Sequence, residues 1–256
     1  MLHSWNELTR EELRKILPGA VVVVPTGATE QHGPHLATGH DTFSVTTIAQ
    51  QAAEAASSTV VVTPALPFGS SHHHLAFGGT LSLSTDTYYR VVTDLVTSII
   101  AGGGRRILLL NGHGGNQELN VLVARDIAMQ QAPDAPVAIA AASYWQIADA
   151  SLQAVAGPEG MLSPGHAGAF ETSTMLATNP QHVRQPLEVR ADGPGKVPGL
   201  AGVRLELTGS WQTFDGYTDE PHLATAELGS ALLEVIVRDV AAAVDALAGQ
   251  QLPGAQ

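Results

Sequence analysis

Ala20-Val-Val-Val-Val24 is an unbroken apolar run walled off by Gly19 on one side and Pro25 on the other. A strand with one solvated face alternates apolar and polar side chains. A continuous β-branched run is instead buried on both faces, as in parallel sheets covered by helices. Thr59 to Thr63, Arg106 to Leu110 and Pro136 to Ala142 read the same way. Between these runs, apolar residues recur at helical spacing over Ser44 to Ala56, Thr85 to Ala101 and Asn116 to Gln131. Parallel strands need crossover connections, so the alternation predicts an α/β protein: a three-layer α/β/α sandwich with a mainly parallel central sheet.

The flanking segments fit this frame. Thr9 and Glu12 form a Thr-x-x-Glu capping box ahead of Leu13, Ile16 and Leu17, so a short amphipathic helix is expected before the first buried strand, ended by Pro18-Gly19. Beyond Ser143, a helix is expected over Gly168 to Ala177, a strand over Val203 to Thr208 and a long helix over Ala224 to Leu247, with Asn179 to Gly202 as an irregular Pro/Gly-rich excursion. No internal repeat is visible. A single domain over residues 1–256 is expected, with 248–256 as a flexible tail.

Composition removes several function classes. The formal net charge of −12, from 24 acidic and 12 basic residues, lacks the cationic surface that nucleic acid or an anionic membrane requires. The longest apolar stretches fall far short of the roughly 20 residues of a membrane helix, and Leu2 to Leu17 carries charges where a signal peptide would be apolar. A cytoplasmic protein is expected. With no cysteine, any metal must be held by His, Asp and Glu, which suits Zn, Mn or Fe.

In a parallel α/β sheet, ligands bind beyond the carboxyl ends of the strands. The segment after the first buried strand holds Glu30, His32, His35, His40 and Asp41 within twelve positions. Glu30 and His32, two apart in an extended chain, point the same way and face one metal, and Asp41 closes the site. The alternative is a hydrated loop whose histidines satisfy local backbone groups. After the Ile107 strand comes Asn111-Gly-His-Gly-Gly-Asn116, where the flexible Gly114 and Gly115 allow close backbone approach to a substrate and His113 projects into the same crevice. An anion-binding loop at a helix start competes with that reading, but no P-loop Lys follows.

Glu171 lies in the small, apolar segment Gly168 to Ala177, where a carboxylate is rarely buried unless paired or bound to a cation; it is a candidate fifth ligand. His166, just before that helix, suits proton donation to a leaving amine, with an entry residue in solvent as the alternative. Of the consecutive His72, His73 and His74, one or two at most are expected to line the pocket, and His74 is taken as a substrate contact. Trp145 and Trp211 are expected in the core or the pocket wall.

Together these segments resemble the creatininase (creatinine amidohydrolase) family, which includes a peptidase for the mycofactocin precursor. The resemblance rests on Glu30-Gln-His-Gly-Pro-His-Leu with Asp41, Phe77-Gly-Gly-Thr-Leu-Ser-Leu, Asn111-Gly-His-Gly-Gly-Asn, His166 with Phe170-Glu-Thr-Ser, and Ala224-Thr-Ala-Glu-Leu-Gly, in family order along nearly the whole chain. It implies an α/β/α sandwich. It also implies one metal held by Glu30, Asp41 and His113, and a second by His32 and Asp41, with Asp41 bridging, Glu171 contributing and His166 moving a proton. One or two divalent ions per subunit follow, Zn before Mn or Fe, in a homo-oligomer, often a hexamer. The implied reaction is hydrolysis of a non-peptide or cyclic amide C–N bond. The alternatives are cleavage of a short or modified peptide and non-hydrolytic nucleotide or sugar-phosphate binding. Two departures stand out. Gly114-Gly115 replace a Tyr-Glu pair whose Glu binds the second metal in creatininase, and Leu162-Ser-Pro-Gly165 replace its Trp-Asp-x-Glu. The first requires Glu171 or water to replace the lost ligand of a second metal, and the second points away from creatinine as substrate.

Overall fold

The computed structural model of the chain describes residues 1–156, 165–189, 193, 195, 203, 205–218 and 220–253. Its sheet consists of β1 (Leu2–Ser4), β2 (Val21–Thr26), β3 (Val60–Val62), β4 (Arg106–Asn111) and β5 (Ala138–Ser143), in the order β1-β3-β2-β4-β5. Every pairing is parallel, with Val21 opposite both Val60 and Arg106. The helices are α1 (Arg10–Ile16), α2 (His40–Ala55), α3 (Thr85–Ala101), α4 (Gln117–Gln130), α5 (Tyr144–Ile147), α6 (Asp149–Ala156), α7 (Ala169–Thr178) and α8 (Ala226–Ala248).

The alternation of side chains along β2 divides its valines between two cores. Val21 and Val23 pack with Ile48 of α2, Tyr144 and Leu152 of α5 and α6, and Ile236 of α8. Val22 and Val24 face Val92 and Val96 of α3 and Val123 of α4. Helices therefore cover both faces, as the β-branched runs predict. The capping box of α1 is present with both of its hydrogen bonds, and α3 begins and ends where its periodicity places it.

Three expectations need correction. Leu2–Ser4 adds an edge strand that three half-buried residues gave no pattern to announce. Helix α2 starts at His40 rather than Ser44, so His40 and Asp41 belong to its first turn and not to the loop. The strand expected over Val203 to Thr208 is not formed among the described residues: Val203 makes a bridge, Leu205 to Leu207 lie outside any strand and Thr208 enters a turn, while Arg204 lies outside the described residues. Val203 and Leu207 are 57% and 49% exposed, so the apolar residues of this segment do not form the buried face that a strand reading assumes. Residues 162–164, most of 190–202 and 254–256, on which parts of the sequence reading fall, also lie outside the described residues.

The topology creates the site. The chain leaves β2 for β3 on one side, and β4 for β5 on the other. Their following helices, α2 and α4, pack on opposite faces. The loops after β2 and β4 therefore part at the carboxyl ends of adjacent strands, opening a crevice there.

Candidate metal centre

Glu30 sits in the loop after β2 and is 1% exposed, and Asp41, at the start of α2, is 2% exposed. A charged pair this deep is costly unless something balances it. His113, in the turn between β4 and α4, approaches both carboxylates, its Nδ1 lying 3.2 Å from Glu30 Oε1 and 3.1 Å from Asp41 Oδ2. Its other nitrogen lies 3.2 Å from the Ser70 carbonyl and 3.1 Å from Ser71 Oγ. Donating there aims Nδ1 into the cluster, the outer-shell arrangement that orients ligating histidines.

His32 is held likewise. Its Nδ1 donates to the Glu30 backbone carbonyl at 3.1 Å, and Nε2 lies 2.9 Å from Asp41 Oδ1 and 3.7 Å from Glu171 Oε2. Glu171 occupies the first turn of α7 and also accepts the N–H of Ala167. Ala167 has φ 53°, a left-handed conformation that costs a non-glycine residue about 1 kcal/mol or more. The cluster holds it there. His40 joins through Nδ1, 3.1 Å from Asp41 Oδ1.

Two donor sets result. Ligand-type atoms of Glu30, Asp41 and His113 lie within 4.8 Å of one another, as do those of His32, His40, Asp41 and Glu171, so Asp41 is common to both. Glu30 Oε2, His32 Nε2 and Asp41 Oδ2 are buried without a hydrogen bond of adequate geometry. Burial opposes ionisation of both Glu30 and Asp41, yet the His113 and His32 imidazoles hold them well below the usual carboxylate range. Burial likewise opposes charge on His32, but Asp41 raises it to about 10, and His113 is driven up by Glu30 and Asp41. Glu171 is pushed up by its burial. Three carboxylates thus converge where the balancing groups are imidazoles. That is a donor set of the kind a divalent cation takes, and the residues fit one.

The cluster forms the floor of a cavity of about 650 Å³, walled by His73, His74, His166, Trp145, Trp211, Gln117, Leu205 and Glu206 among others. His166 is 7% exposed, which excludes the solvent-facing alternative. Its Nε2 donates to the Gln31 carbonyl at 2.8 Å, leaving Nδ1 facing Glu30 Oε1 at 3.6 Å. Burial depresses the imidazoles of His166 and His74, the latter to about 3. His35 bonds Thr172 instead of joining the cluster. All three consecutive histidines touch the cavity, more than expected, because a tight 3₁₀ turn fans them out. Only His74 is buried, while His73 lies against Trp211 and His72 bonds Ser82 at the rim. Gly114 is open, whereas a Cβ on Gly115 would overlap the Ser70 carbonyl oxygen. Gln31, Gln117, Ser70 and Ser71 carry no signal in the sequence, since their roles arise from contacts across loops distant in sequence.

A helix-covered parallel sheet with a buried carboxylate–histidine cluster beyond its strand ends places this chain among α/β proteins built around a metal-type centre. It belongs to the creatininase family: the sequence model for creatininase (creatinine amidohydrolase) matches residues 6–244. Creatinine amidohydrolase of Pseudomonas putida is 28% identical, over 94% of each chain. The 3-dehydro-scyllo-inosose hydrolase of Thermotoga maritima is 30% identical over 76% of this chain and 62% of that protein. A mycofactocin precursor peptide peptidase of Mycolicibacterium smegmatis is 31% identical over 68% of this chain and 64% of that one. Among solved structures, a creatininase mutant of Zn-Zn type superimposes with a TM-score of 0.81 at 29% identity, covering 96% and 98% of the two chains. A Mn creatininase gives 0.79 at 29% identity over 96% and 99%. Among the described residues, no helix is long and apolar enough to cross a membrane.

Proposed function

We propose that the chain is a metal-dependent amidohydrolase that cleaves a non-peptide or cyclic amide C–N bond of a small molecule. The carrying observation is the buried set Glu30, Asp41 and His113, whose donor atoms converge from three separate elements on the floor of a cavity. These three hold one ion. His32, Asp41 and Glu171 hold a second, Glu171 taking the part of the glutamate that creatininase carries where this chain has Gly115. A divalent cation here supplies carbonyl polarisation and a lowered pKa for water. Zinc is the first choice, with Mn or Fe as alternatives; the zinc and manganese of the solved creatininases support the first two.

The chain's own residues do the rest. His166 presents an unprotonated Nδ1 towards the cluster, where it takes the proton released by the attacking water and returns it to the departing nitrogen, which leaves poorly as an anion. His74, Gly114 and Gly115 line the space for the substrate. A peptidase on a short or modified peptide is the second reading, favoured by the similarity to the mycofactocin peptidase. Phosphate binding is disfavoured, because the described cavity lining contains acidic residues and no Lys or Arg. A single domain, a cytoplasmic location and a hexameric assembly complete the proposal. The family match over 6–244 supports the first, and light scattering tests the assembly.

Glu30→Ala and His113→Ala are expected to lose bound metal and turnover together. Elemental analysis, with turnover on a panel of cyclic amides, formamides and short peptides, checks both. Full metal content and full activity in either variant would show the assignment to be wrong.

A further inference from the structure

Side chains alternate along an extended segment, so Gln31, between Glu30 and His32, ought to turn away from the site they share. Its amide nevertheless reaches two of the cavity's histidines, and backbone groups fix which way round it sits. The Gly33 N–H, which can only donate, lies 2.9 Å from Oε1, and the Gly216 carbonyl, which can only accept, lies 2.7 Å from Nε2. Gly216 has φ +74°, and a Cβ there would stand 2.9 Å from the Gln31 nitrogen, so glycine permits this approach.

One amide hydrogen is thereby committed to Gly216, and one remains. His74 Nδ1 lies 2.8 Å from the amide nitrogen and His166 Nε2 3.1 Å. His166 Nε2 is already a donor, to the Gln31 backbone carbonyl at 2.8 Å, and cannot accept. The remaining hydrogen goes to His74 Nδ1. His74 must then carry its own proton on Nε2. That nitrogen is buried, makes no hydrogen bond, and stands 3.7 Å from Glu30 Oε1 in a residue lining the cavity.

We propose that His74 Nε2–H donates a hydrogen bond to the substrate carbonyl oxygen as that oxygen gains charge, and that Gln31 is the positioning residue holding His74 in this tautomer. His74 and His166 stack with ring centroids 4.1 Å apart and planes 18° from parallel. The two rings thus offer the cavity opposite functions: an N–H from His74 and a lone pair on Nδ1 from His166. The identity of the oxygen rests on the hydrolase reading, whereas the tautomer does not.

Long-range proton–nitrogen spectra of the zinc-loaded, diamagnetic protein read the tautomer directly. The expected pattern for His74 is a protonated Nε2 and a bare Nδ1. Gln31→Glu replaces the donating nitrogen by an oxygen and should move the His74 proton to Nδ1. On the substrate identified by the screen, kcat should fall about 100-fold with KM little changed, the loss typical of a donor that acts mainly in the transition state. His74→Ala should lose as much, and His74→Gln, which keeps an N–H, should recover part. A wild-type His74 protonated on Nδ1 overturns the proposal even if a variant fails to fold, and so does unchanged kcat in His74→Ala. If Nε2 carries the proton but no amide is cleaved, the tautomer assignment stands and the hydrolase reading falls.

Discussion

At Gly115 the space left for one atom decides how many ligands the turn after β4 can supply. A Cβ would overlap the Ser70 carbonyl oxygen and lie 2.6 Å from His113 Nε2, and a backbone oxygen does not swing aside as the end of a side chain does. Gly115→Ala is therefore expected to destabilise by about 1–3 kcal/mol, to shift His113 and to reduce metal retention. Gly114→Ala, with nothing within 4 Å of its Cβ, should change stability by no more than about 0.5 kcal/mol. Thermal melting and metal analysis of the two variants distinguish a steric requirement from general glycine flexibility. The same residues show how far the site was legible. Glu30, His32 and Asp41 announced themselves by crowding, and His113 by its place at a strand end. Gln31 did not, because its partners His74, His166 and Gly216 are brought to it only by folding. His40 looked like loop and is helix, so its bond to Asp41 was not readable either.

Helices α2 and α8 lie side by side, and one side chain fastens the end of the first to the second. Asp245, on the last turns of α8, accepts from Ser57 N and Oγ and from Ser58 N at 2.8–3.0 Å, just beyond the end of α2. Hydrogen bonds from Ser58 and Ser57 lower its carboxyl to about 2. Unfolded Asp titrates near about 4. The contribution is thus complete above that value and is lost as pH falls through about 2. Asp245→Asn should lower Tm modestly at neutral pH, with the gap to wild type closing below about pH 4. A gap that persists unchanged to pH 2 would rule the carboxylate out as its source. Whole elements were more legible than such ties. Buried continuous apolar runs marked β2 and β4 because parallel strands covered by helices have no solvent face to dilute the signal. The three residues of β1 are too few to show a period, and of the strand expected over Val203 to Thr208, Val203, Leu205 and Glu206 line the cavity instead.

For the whole molecule, the cluster is a liability to the fold unless its charge is balanced. Glu30, Asp41 and Glu171 come from the β2 loop, α2 and α7, and His113 from the turn after β4, so separating them means pulling α2 and α7 away from the ends of β2 and β4. An ion bound by either donor set in the folded chain, and by few of its members in the unfolded one, stabilises the native state by mass action, about 2.7 kcal/mol at 100 times its Kd. For a chain of this length that is roughly 5–10 °C in Tm. Chelation of the wild-type protein should lower Tm by this order, and returning zinc or manganese should restore it in a concentration-dependent way. Glu30→Ala and His113→Ala should respond far less, since they lack a member of the first donor set. Glu171→Gln should sit between them, because it leaves that set whole and weakens only the second. Calorimetry of the four proteins with and without chelator separates one ion from two without any knowledge of the substrate. Equal chelator shifts in Glu171→Gln and wild type would assign the stabilising ion to Glu30, Asp41 and His113 alone, and equal shifts in all four would remove the metal centre from the fold.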